Sequence, residues 1–128
     1  MMLVLFCLSG CVSAGTVAAH STTRPGRTAA AEATNYYRAV VAQNYRLAFT
    51  YLAAKVTGPD GRKLTLPAYL QLARMLDGQG GPVTSFSVGA FHAMVVMTIY
   101  RKKYGPYHAH LQMMRDKNGW IIISIDRI

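Results

Sequence analysis

The junction Gly80-Gly81-Pro82 limits this chain more than any other feature, because it separates two kinds of residue patterning. A helix arriving at two glycines followed by a proline, which has no N–H to donate, must stop there. Before the junction, apolar residues recur at three- and four-residue spacing, the period of a helix with one buried face. After it come β-branched and aromatic runs separated by turn residues, the pattern of strands. Helices first and a strand meander afterwards make an α+β chain, with N-terminal helices packed on one face of a curved antiparallel four-stranded sheet.

Within residues 29–55 the positions Ala33, Tyr36, Tyr37, Val40, Leu47, Ala48, Tyr51 and Leu52 carry the helical period. Gln43-Asn44 interrupts the stripe, so two helices are expected, the second capped by Asn44 and carrying Tyr45, Ala48, Phe49 and Leu52. Turn chemistry follows from Thr57 to Gly61. Thr65 then caps a third helix with Pro67 in its first turn, Tyr69, Leu70, Leu72, Ala73 and Leu76 as its buried set, and Gly78 as its close. Strands are expected at 83–91, 93–101, 107–115 and 120–128, with Asn118-Gly119 as the turn of the last hairpin. The run 93–101, AMVVMTIYR, is apolar on both faces, which favours a covered second face of the sheet.

At 128 residues and 14.0 kDa the chain has room for one core, and 52% hydrophobic against 15% charged residues exclude a disordered polymer. Its N-terminus reads as an address. Residues 1–23 contain no charged side chain, and an apolar run from Met2 to Leu8 is followed at once by small residues, the shape of a signal peptide. The run Leu8-Ser9-Gly10-Cys11 resembles the lipobox of bacterial lipoproteins, in which a cysteine preceded by small residues is acylated and becomes the mature N-terminus. The usual Lys or Arg before the apolar run is missing, as a start codon assigned too late would explain. The expected organisation is therefore a lipoprotein signal peptide at 1–10, a lipidated flexible tether at 11–28 and a folded domain at 29–128. Both cysteines, Cys7 and Cys11, precede that domain, so it can form neither an internal disulfide nor a cysteine-based metal site.

Over residues 30–128 the pattern resembles the nuclear transport factor 2-like superfamily of cystatin-like or ketosteroid-isomerase-like α+β cones. The resemblance rests on the paired opening Tyr36-Tyr37 with Ala39, the second helix around Tyr45 to Leu52, the capped third helix from Thr65, and the closing Asn118-Gly119-Trp120-Ile121-Ile122. It implies a cone-shaped fold but no single activity, since enzymes and non-catalytic adaptors share it. It also implies that a homodimer through the open sheet face is an arrangement to test.

Enzymes of that superfamily place Asp, His and Tyr inside the cone, which makes His108 and His110, alternate residues on one strand, the weak candidates for a proton-transfer pair. By strand parity Asp126 lies with Trp120, Ile122, Ser124 and Ile128, opposite an Ile121, Ile123 and Ile125 core face, and points away from any pocket. Tyr36, Tyr37 and Tyr51 are the candidates for pocket lining, a tyrosine having a large ring and a polar tip. Arg101-Lys102-Lys103-Tyr104 is the densest basic cluster, in a chain of net charge +9, and Arg101, Lys102 and Lys103 are the candidates for contact with an anionic surface. No metal or cofactor is expected. The resulting expectation is a membrane-anchored extracytoplasmic lipoprotein that acts in the cell envelope by binding or scaffolding, its partners being the membrane through Cys11 and another envelope protein or an apolar small molecule. Two rivals are an isomerase- or dehydratase-like enzyme using His108 or His110 with a helix tyrosine, and a cytosolic basic protein that binds nucleic acid, which the export signal argues against.

Overall fold

The computed structural model describes residues 28–128; the signal peptide, Cys11 and the tether up to Arg27 lie outside the described residues. The elements run α1 (Ala29–Val41), α2 (Tyr45–Thr50), β1 (Leu52–Thr57), α3 (Leu66–Gly80), β2 (Val83–Phe91), β3 (Met94–Arg101), β4 (Tyr107–Asp116) and β5 (Gly119–Ile125). Helix α1 starts where the Thr28 hydroxyl accepts a hydrogen bond from the Ala31 N–H at 3.1 Å, and it turns Ala29, Ala33, Tyr36, Tyr37 and Val40 onto one buried face. Gln43, at φ 56°, reverses the chain, and Asn44 caps α2 as expected, its side chain accepting from the Leu47 N–H at 3.2 Å.

The second helix stops at Thr50 and does not run on towards residue 55; Leu52–Thr57 is a strand instead. Ala53, Ala54 and Lys55 are helix formers, and what overrides them is a partner far along the chain. β1 lies parallel to β5, with Leu52 opposite Ile122, and it buries Leu52 and Val56 in the core. The sheet therefore has five strands, not four, in the order β1-β5-β4-β3-β2, and is mixed, not wholly antiparallel. It is not closed: β1 and β2 are its edges.

Helix α3 is capped by Thr65 as expected, but it passes Gly78 and ends at Gly80. The reason for glycine there is contact. A Cβ on Gly80 would come within 2.0 Å of the Tyr104 ring, and Gly81 has φ 75°, where a side chain is strained. In the last hairpin Asp116 pairs with Gly119, so the turn is Lys117-Asn118, one residue earlier than expected, and the Asp116 carboxylate accepts from the Asn118 N–H at 2.7 Å.

One core fills the space between α1 and the sheet, and the fully buried Tyr36, Tyr37, Tyr69, Met97, Ile99, Leu111, Ile122 and Ile125 are its largest members. Tyr36 and Tyr37 meet edge to face at 5.0 Å, and the hydroxyls of Tyr36 and Tyr69 share a hydrogen bond of 2.9 Å that ties α1 to α3. Strand β5 breaks the expected parity. A bulge opposite Gln112 and Met113 takes Ile123 out of the pairing, so that Ile122 and Ile125 enter the core while Ile121 and Ile123 are left half-exposed.

Candidate functional site

The sheet has one face under the helices and one that no described element covers. On β4, Ala109, Leu111 and Met113 point inward, while His108, His110, Gln112 and Met114 are exposed, as their alternation requires. Cross-strand pairing sets Thr98, Val96 and Met94 of β3 beside His108, His110 and Gln112 respectively, and Ser124 and Ile121 of β5 beside Gln112 and Met114. The outer residues of β3, Met94, Val96 and Thr98, are only partly exposed, and Met114 is 48% exposed. Rows of hydrogen-bonding side chains thus cross rows of apolar ones. At the end of this face near the β2–β3 turn is an open depression of about 410 Å³ lined by His92, Ala93, Met94, Gln112, Met113 and Ile123. The covered second face expected from the apolar 93–101 run is not provided by the described chain itself.

Asp126 is exposed, opposite the buried Ile125 as strand parity expects, and on that outer face it meets a histidine. Its Oδ1 accepts from the His110 backbone N–H at 2.7 Å and its Oδ2 lies 2.7 Å from His110 Nδ1. The β5 bulge changes the faces of Ile122 and Ile123 and leaves Asp126 opposite the buried Ile125, where parity set it; what parity along one strand does not show is the neighbour across the sheet, His110 on the same outer face. An ionised carboxylate only accepts hydrogen bonds, so this contact calls for a proton on Nδ1, and in the neutral imidazole that is the arrangement of an oriented base. The pair is open to water, with side-chain exposures of 49% for His110 and 42% for Asp126. His108 shares the face but not the carboxylate.

The tyrosines proposed to line a pocket are differently placed. Tyr36 and Tyr37 are completely buried, on the helix side of the sheet, so neither can work together with His108 or His110. Burial in an apolar core holds both hydroxyls well above the ordinary tyrosine range. Tyr51 is half-buried at the end of α2.

Arg101 is also unavailable in the role expected of it. It is 4% exposed and its guanidinium is consumed inside the protein. Nη1 donates to Asp77 Oδ1 and to the Gly81 carbonyl, both at 2.8 Å; Nη2 donates to the Ile128 backbone oxygen at 3.0 Å, and Nε to the Tyr107 hydroxyl at 2.9 Å. Tyr45 donates to the other Asp77 oxygen at 2.5 Å. This cluster joins α2, α3, β3 and the end of the chain, and no sequence motif announces it. Lys102 and Lys103 are exposed, as an anionic-surface contact would need.

Among the described residues no three His, Cys, Asp or Glu side chains come together as a metal site would require, and no helix is long and apolar enough to cross a membrane. No family model, curated protein or solved structure matches the chain.

Proposed function

We propose that this chain is a lipid-anchored binding module of the bacterial cell envelope, held outside the cytoplasmic membrane through Cys11, and that the open face of its sheet receives the partner. The observation that carries this reading is that face itself: Met94, Val96, Ile121 and Ile123 half-exposed beside His108, His110 and Gln112, with a depression of about 410 Å³ at one end. Surfaces that mix apolar area with a few directed polar groups suit a protein partner or an apolar small molecule. The packing of the helices on a single face of the sheet supports the nuclear transport factor 2-like resemblance, and the lipobox Leu8-Ser9-Gly10-Cys11 supports the anchor. The nucleic-acid alternative loses support, because the guanidinium of its basic and aromatic cluster, Arg101, is buried.

The test is the mass of the full-length protein extracted from its own membranes in mild detergent, recorded under native and then denaturing conditions. A chain that begins at Cys11, carries acyl groups and releases a small molecule or a second protein on denaturation supports the proposal, and Val96→Glu is expected to abolish that retention. An unprocessed, unacylated mass rejects the anchor; retention unchanged in Val96→Glu rejects the face.

A second reading is favoured by one observation, the contact of 2.7 Å between His110 Nδ1 and Asp126. An oriented imidazole beside a partly apolar depression can take a proton from a bound substrate. If this chain is an enzyme, His110→Gln abolishes turnover while leaving the melting temperature unchanged, and His108→Gln changes neither turnover nor melting temperature.

A further inference from the structure

A second surface lies among the helices, which pack on the covered side of the sheet. On α3, Leu66, Leu70 and Arg74 follow one another at four-residue spacing and so share a stripe. Together with Pro67 and with Arg46 of α2 they line a shallow groove of about 250 Å³. The groove forms because α2 is seated on α3 by its other residues: Tyr45 and Phe49 pack against the Tyr69 ring, at 6.3 and 5.4 Å. Arg46, next to Tyr45, is left on the outside. The groove is thus lined by apolar side chains together with two arginines.

Nothing acidic lies in that groove. Of the carboxylates in the described residues, Asp77 is committed to Arg101, Asp126 to His110, Asp60 and Asp116 accept from backbone N–H groups in turns, and Glu32 is 2% exposed. Each groove arginine is followed in the chain by a large exposed apolar residue, Leu47 at 40% and Met75 at 51%. A soluble anion would have use for the two cations but none for Leu47, Met75, Leu66 or Leu70. A phospholipid has use for all of them, since its phosphate pairs with guanidinium and its glycerol and acyl portions with apolar side chains.

We infer that the α2–α3 groove, lined by Arg46, Arg74, Leu66 and Leu70, together with the exposed Leu47 and Met75 beside it in the chain, docks the domain onto an anionic phospholipid at a bilayer surface. This surface is independent of the anchor and of the open sheet face. With the helix side on the bilayer, the open face of the sheet is turned towards the aqueous phase.

The experiment uses the full-length chain carrying Cys11→Ser, so that no acyl group contributes. Flotation is measured with vesicles of phosphatidylcholine alone and of phosphatidylcholine doped with phosphatidylglycerol. The apolar segment 2–8 sets a baseline on phosphatidylcholine alone, and binding to the doped vesicles is expected to exceed it. Arg46→Gln with Arg74→Gln should lower the affinity roughly 25-fold, about fivefold for each cation removed near an anionic leaflet. Lys102→Gln with Lys103→Gln removes the same charge and should change it by less than about twofold. Leu47→Ser with Met75→Ser, which leaves net charge untouched, should also weaken binding, and circular dichroism should show every variant folded. Equal losses from the two charge variants would mean that net charge alone acts and would overturn the proposal. So would unchanged binding in the Leu47 and Met75 variant, or complete competition by inorganic phosphate, which would assign the arginines to a soluble anion.

Discussion

Among the described residues two pairs join a basic side chain to an aspartate, and they differ in where water is. Arg101 and Asp77 meet at 2.8 Å with side-chain exposures of 0% and 18%; His110 and Asp126 meet at 2.7 Å with 49% and 42%. The first pair is surrounded by further partners, the Tyr45 and Tyr107 hydroxyls and the Gly81 and Ile128 oxygens, so its charges are spent on joining elements. The members of the second are hydrogen-bonded to each other and to the His110 backbone, with both side chains open to water. Nearly the same separation serves architecture in one place and leaves chemistry open in the other, and the surroundings decide which.

The largest effect should come from breaking the buried pair. Asp77→Asn removes the compensating charge of a guanidinium that has no water to turn to, and should destabilise the fold by about 3 kcal/mol in chemical denaturation. A loss below about 1 kcal/mol would mean that Arg101 is solvated in solution. The next effect sharpens what burial means on the helix side. Tyr36, Tyr37 and Tyr69 have hydroxyl pKa values raised above the ordinary 10, chiefly by burial. A raised value in the folded state leaves stability untouched below pH 10, where both states are protonated, and removes it above pH 10, where only the unfolded chain ionises. Stability should then fall by up to about 1.4 kcal/mol per pH unit for each such tyrosine, with phenolate absorbance from them appearing together with unfolding. The smallest effect concerns the open pair. Asp126→Asn should change stability by less than about 1 kcal/mol, as exposed pairs do, yet nitrogen-detected NMR should show His110 leaving its Nδ1–H tautomer. A large loss of stability from this substitution would place the pair with architecture after all.

Much of the fold was legible because it is written locally. Thr65 and Asn44 cap the helices they were expected to cap, Gly80-Gly81-Pro82 ends the helical half, and the exposed set His108, His110, Gln112 and Met114 follows from alternation alone. What was not legible depends on residues distant in sequence. β1 has the composition of a helix and is a strand only because β5 pairs with it. The β5 bulge has no signature in Trp120 to Ile125, and it brings Ile122 into the core and leaves Ile123 half-exposed; the approach of Asp126 to His110 is a cross-strand neighbourhood that the parity of one strand does not contain. Arg101 stands in a basic run that reads as surface, and only the folded chain shows that Asp77, Tyr107 and Ile128 converge on it. The groove between α2 and α3 was missed for the same reason, since Arg46 and Arg74 become neighbours only when Tyr45 and Phe49 close on Tyr69.

The parallel pairing of β1 with β5 bears on how the chain is made. Leu52 is synthesised long before Ile122, its partner in the register, and until β5 leaves the ribosome β1 has no strand to join. The first strand must wait as an unpaired segment of Ala, Lys and Val while α3 and the entire β2–β4 meander are produced. A nascent chain arrested anywhere before residue 119 thus has helices but no finished sheet, and the domain is held back from locking until its final strand arrives.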